Sequence, residues 1–126
     1  MSLLHRQVHP NFIQAGRVTS MAFRPSKKDQ GRLSVDDGTK VTAEQSFNAF
    51  VTHGFPSAGV WSVSNQECQA LNLPIVPDPI PDTQEHPNPA HMLIDFSGLS
   101  TSKTSSCAQI LARHADERGC QYAKKQ

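Results

Sequence analysis

The chain has 126 residues, 37% hydrophobic and 6% aromatic, and its twelve basic and eleven acidic side chains leave a net charge of +1. That length suits one domain able to bury a core without metal or disulfide support, and the near-neutral balance excludes nucleic-acid binding by bulk electrostatics. No apolar run is long enough for a membrane span and the N-terminus lacks a signal-peptide core, so a cytoplasmic protein is the expectation.

Leu3 to Val8 reads as a first strand, ended by His9-Pro10 because proline removes a ladder donor. On strand periodicity His5, Gln7 and His9 share one face. Arg17 to Phe23 reads as a second strand broken by Pro25, Ser26 to Gly31 as a solvated turn, and Arg32 to Asp36 as a third strand closed by Asp37-Gly38. Thr42-Ala-Glu-Gln45 is a capping box that opens a helix with an apolar stripe of Ala43, Phe47, Phe50 and Val51, stopped by Gly54. Ala58 to Val63 is the next strand, and Ser64-Asn-Gln-Glu67 repeats the capping signal before a short helix from Asn65 to about Leu71.

From Asn72 to Pro89 the composition turns proline-rich, which precludes helix and central strand and predicts an extended excursion over the surface, either a semi-rigid flap over a cleft or a plain connector. His91 to Phe96 is the most apolar run and the candidate central strand. A loop through Ser97 to Ser102 leads to a helix from about Lys103 to Arg118, with Cys107, Ile110, Leu111, His114 and Ala115 on one face and Gly119 at its end. Residues 121–126 form a polar tail. Cys68, Cys107 and Cys120 are odd in number and form no Cys-x-x-Cys pair, so free thiols are expected, with Cys68 and Cys107 in packing roles.

Two constellations suggest chemistry. The hydroxyl-rich loop before the last helix offers backbone N–H groups, a helix dipole, Lys103 and Thr104 to an anion. It departs from a P-loop at Ser97 and Ser102, where glycines belong, which disfavours an NTPase, and a helix start capped by serine explains it equally. Ser100-x-x-Lys103 also opens the β-lactamase signature, whose companion motifs are missing. The six histidines allow pairs at His5/His9 and His86/His91 with Asp36 or Asp95 as a carboxylate; neither pair lies on an expected helix, so ordinary hydrogen-bonded histidines are the reading and no metal site is assigned. His91, opening a strand just after the proline excursion, is the candidate general acid/base, with Asp36 as its orienter or else the partner of an arginine.

The ordered blocks Arg6-Gln-Val-His9-Pro10, Arg17-Val-Thr-Ser20-Met-Ala22-Phe23, Leu33-Ser-Val-Asp36, Pro77-Asp-Pro79, Asn88-Pro-Ala-His91 and Lys103-Thr104 resemble those of a family of small uncharacterised bacterial proteins. The resemblance spans nearly the whole chain and implies that Arg17, Ser20, Ser34, Asp36, His91 and Lys103 belong to one architecture; it supplies no activity. Asp95 departs from the uniformly apolar strand expected after His91.

The expectation is a single α+β domain over 1–126, with a mixed or antiparallel sheet of about five short strands and two or three helices on one face. The leading functional reading is a phosphate- or nucleotide-type anion site: Arg17, Ser20, Ser34, Lys103 and Thr104 bind the ligand, His91 and Asp36 act in catalysis, and nucleotidyl, phosphoryl or ADP-ribosyl chemistry follows. The alternative is a non-enzymatic interaction module that docks on a protein partner through the proline-rich segment. No cofactor is indicated.

Overall fold

A computed structural model describes residues 2–26 and 30–123. The strands are β1 Leu3–Val8, β2 Ile13–Gln14, β3 Arg17–Val18, β4 Arg32–Asp37, β5 Gly59–Ser64, β6 Ile75–Pro77 and β7 His91–Asp95, and the helices are α1 Ala43–Thr52, α2 Asn65–Ala70 and α3 Thr101–Arg118. Five strands form one antiparallel sheet in the order β5-β1-β4-β7-β6, and β2 and β3 make a separate ribbon. The α+β class therefore holds.

Residues that oppose one another in an antiparallel ladder point to the same side, so the registers sort the sheet into two faces. One carries Leu4 and Val8 of β1, Leu33 and Val35 of β4, Val63 of β5 and Ile94 of β7. All six are buried in a single cluster with Phe23, Phe96, Cys107, Ala108 and Leu111, which places α3 over this face. The opposite face carries His5, Gln7, Ser34, Asp36, Ser62 and His91. Here α1 lies across the sheet, with Ser46 bonded to Gln7 and Asp36 and Phe47 against Tyr122, ring centroids 5.3 Å apart. Thus α3, with α2 joined to the same cluster through Cys68, covers the apolar face, and α1 covers the other, because the hydroxyl of Ser46 fits a polar floor and the alanines and Leu111 of α3 fit an apolar one.

Local chemistry fixes the helix ends. Both capping boxes form: Thr42 Oγ1 accepts from the Gln45 N–H while Gln45 Oε1 accepts from the Thr42 N–H, and Ser64 and Glu67 repeat the exchange. Ser100 caps α3 by accepting from the Lys103 N–H, so that helix begins two residues before the expected Lys103. Glu67 also accepts from both Nη atoms of Arg118 at 3.0 Å, clipping α2 to α3. Burial, with the nearby Glu67 charge, pushes the Cys68 thiol up to about 12, in keeping with a packing role.

Several expectations change. Arg17 to Phe23 is not one strand: β3 ends at Val18 and Ser20–Phe23 is a 3₁₀ turn. Strand alternation would send Ala22 and Phe23 to opposite sides, whereas the turn buries both in the core. Within 72–89 the chain forms β6, an edge strand that ends in Pro77, and residues Ile80 and Asn88 make a further bridge. The run from His91 is an internal strand but not the middle one, which is β4. Asp95 sits at its end and caps the following turn; the Ser97 hydroxyl and N–H hold its carboxyl below the ordinary value. In the tail, Tyr122 bridges to Val60. Lys27, Lys28 and Asp29, within the solvated turn expected from Ser26 to Gly31, and residues 124–126 of the expected polar tail lie outside the described residues.

Candidate functional site

Between the polar face, α1 and the 78–90 segment lies a cavity of ≈ 530 Å³, within the usual range for small-molecule sites. Five of the six histidines line it: His5, His9, His53, His86 and His91. The proline-rich segment is one of its walls, contributing Ile80, His86, Pro87, Asn88 and Pro89.

The floor is a connected chain of hydrogen bonds. Ser57 donates to Gln7 Oε1 at 2.9 Å, Gln7 Nε2 donates to Ser46 Oγ at 2.8 Å, and Ser46 donates to Asp36 Oδ2 at 2.6 Å. Asn88 Nδ2 donates to Asp36 Oδ1 at 2.8 Å, so one carboxylate joins β4, α1 and the proline-rich segment. Ser46 is buried, and leaving its hydroxyl without a partner would cost about 1–3 kcal/mol. Across the sheet, Ser62, His5, Asp36 and His91 stand in one row over four adjacent strands.

The histidines divide by what holds them. His5 is buried, with Nδ1 2.7 Å from Ser62 Oγ and a hydrogen bond to the Val41 backbone. Burial pushes its imidazole below the ordinary value, and Asp36, the Val41 bond and Asp37 only partly oppose this. A Cβ on Gly38 would press within 3.1 Å of His5 Nε2 and collide with the Leu3 carbonyl. His5 is therefore a structural ring. His9 caps the first 3₁₀ turn, its Nδ1 accepting from the Asn11 N–H at 3.0 Å. His91 donates from Nδ1 to Asp78, 3.0 Å from the backbone carbonyl and 3.1 Å from Oδ2. Its side chain is 13% exposed and faces the cavity.

At the other end of the cavity the chemistry is aromatic. His53 and His86 pack at a tilt of 33° with centroids 4.2 Å apart, Phe55 meets His86 edge-on at 5.4 Å, and Phe50 packs on Phe55 at 5.1 Å. His86 adopts φ 60°, a left-handed conformation uncommon outside glycine. Its side chain is 36% exposed, and Phe55 is 43% exposed, so this shelf is open to a planar ligand.

The expected site residues fall in three places. His91, Asp36 and Ser34 line the cavity. Arg17 and Ser20 line a separate shallow hollow of ≈ 290 Å³ with Arg113 and Asp116, and Arg17 Nε bonds Asp116 Oδ2 at 2.9 Å. Lys103 and Thr104 occupy the first turn of α3 and line neither space. The thirteen positions from Lys103 to Asp116 span about 20 Å of helix, so the two cations do not converge. Asp36 does not orient His91 either: both its oxygens serve Ser46 and Asn88, and Asp78 holds the imidazole. Among the described residues no group of three or more His, Cys, Asp or Glu is arranged to hold a metal ion.

Sequence reasoning missed Asp78, Ser46, Asn88 and His53 as members of the site, and raised His86 only as a metal-spaced partner of His91. The shared face of His5, Gln7 and His9, the position of His91, the His86/His91 pair and the reading of the proline-rich segment as a flap over a cleft pointed there. No protein-family model matches the chain, and no curated protein or solved structure matches it.

Proposed function

We propose that the cleft binds a nucleotide-type ligand, a planar ring that carries an anionic phosphoryl group. The observation that carries this reading is that His9, His53, His86 and His91 line one cavity whose far end is a shelf of tilted and edge-packed rings. Imidazole N–H groups are donors to phosphoryl oxygens, and His and Phe rings take a base by its face. His91, with Asp78 on Nδ1, presents Nε2 as a proton acceptor. Arg17, Ser20, Lys103 and Thr104 have no part in this version of the site.

The anchoring of the proline-rich segment favours the cleft over the docking-module alternative. Its Ile80 to Asn88 bridge closes it on itself, and the Asn88 to Asp36 and Asp78 to His91 bonds tie it to residues that line the cavity. Thermal-shift and calorimetric titrations with AMP, adenosine and inorganic phosphate test the reading. AMP is expected to bind more tightly than adenosine or phosphate, because only AMP fills both ends. Equal weak responses to all three, or none at millimolar ligand, would overturn it.

A further inference from the structure

The sheet ends on β5, and an edge strand leaves backbone groups unpaired unless something covers them. Alternate residues of such a strand turn their N–H and C=O outward. Along β5 these are Val60, Ser62 and Ser64, and each meets a different partner. The Ser62 carbonyl accepts from Arg118 Nη1 at 2.8 Å, and the Ser64 N–H donates to Glu67 Oε1 at 2.7 Å. Those two partners are helix side chains clipped to each other. Val60 instead donates to the Tyr122 carbonyl at 2.8 Å and accepts from the Gln121 N–H at 2.7 Å. Its partner is only a short piece of chain after α3, residues 119–123, in which Cys120 and Gln121 are exposed. Gly59 lets that piece lie close: a Cβ there would stand 2.9 Å from the Tyr122 carbonyl and 3.1 Å from Cys120 Sγ.

This piece carries the ring of Tyr122, which packs on Phe47 of α1 with centroids 5.3 Å apart. A helix of ten residues is too short to persist alone, so α1 depends on what it buries. It buries only Ser46 and Phe47. Ser46 joins Gln7 to Asp36 in the floor of the cleft. Phe47 is 4% exposed and stands outside the main core cluster. The two side chains are neighbours in the chain, so the ring that seats Phe47 also seats Ser46. Dependence then runs from Tyr122 to Phe47, Ser46 and Asp36, and through Asn88 to the proline-rich wall. We infer that residues 119–123 are a strap that seats α1 on the sheet, and that Tyr122 is a positioning residue of the cleft although it lines none of it. The bearing of the strap on a ligand rests on the nucleotide-type reading; its hold on the cleft does not. With the strap released, Asp36 loses Ser46 and the 78–90 wall loosens.

Amide exchange of the full chain, read together with the side-chain NH2 signals of Asn88, tests this. Tyr122→Ala should speed exchange in α1 and across residues 78–90 by roughly tenfold, about the worth of one aromatic pair, and should move the Asn88 NH2 signals. Tyr122→Phe keeps the ring and should restore wild-type exchange in both regions. Gln121→Pro removes the N–H given to Val60, leaves the Tyr122 ring in place, and should loosen the same two regions. Among the described residues, 78–90 share no hydrogen bond or ring contact with the strap, so a strap that only stabilised its own surroundings would leave their exchange unchanged. Faster exchange confined to β5 and residues 119–123, with 78–90 and Asn88 as in the wild type, would overturn the inference. Tyr122→Phe as disruptive as Tyr122→Ala would overturn it too. Where Tyr122→Ala does not fold, Gln121→Pro decides. AMP is titrated into the wild-type protein alongside: failure to bind would overturn the nucleotide-type reading and leave the strap to be judged by exchange alone.

Discussion

Strand β1 sends Leu4 and Val8 to one side of the sheet and His5 and Gln7 to the other, and the two sides are held together differently. Beneath α3 the contacts are apolar and non-directional, so shape and volume decide stability. Beneath α1, beside the Phe47–Tyr122 contact, a chain of hydrogen bonds from Gln7 through Ser46 and from Asn88 meets on one carboxylate, Asp36. A directional network fixes where groups point, which a binding site needs more than it needs stability. The cleft lies on that side.

The two sides should fail in different ways. The largest effect is expected from Leu111→Ala, which opens a cavity in the apolar core and should cost about 2–5 kcal/mol in urea unfolding while the folded fraction keeps its cleft. If the histidine signals of the cleft shifted throughout the molecule in that variant, the two sides could not be treated separately. Asp36→Ala should cost less, about 1–3 kcal/mol, because it strands Ser46 and Asn88 without an acceptor. It should nevertheless abolish AMP binding and speed amide exchange across residues 78–90.

The smallest effect is a pH dependence from His5. Burial holds its folded imidazole below the ordinary value of 6.5, so below that pH the unfolded chain takes up a proton that the folded one refuses. Stability should be complete above 6.5 and decline as the pH falls toward the folded value. His5→Asn should flatten that decline, measured as the difference in unfolding free energy between pH 7.5 and 5.5. An unchanged slope would mean that His5 is not the buried base of the polar face.

Much of the framework was legible because it rests on local chemistry. The two capping boxes placed α1 and α2, Pro10 closed β1, and Gly119 ended α3. The turn at Ser20–Phe23 was hidden because a short apolar run satisfies strand and 3₁₀ patterns equally. The site was less legible because it depends on register and on a bridge across a long loop. Nothing in the order of residues says that Ser62, His5, Asp36 and His91 stand in one row, or that Asp78 lies beside His91 thirteen positions away. Arg17 was expected to bind an anion, yet its partner is Asp116, 99 positions further along the chain.

Chemical-shift mapping with AMP on uniformly labelled protein tests the account most directly. The account predicts shifts concentrated at His9, His53, His86, Asn88 and His91, with Arg17, Ser20, Lys103 and Thr104 unmoved. Shifts centred on the Arg17 hollow or on the first turn of α3, with the histidines silent, would contradict it.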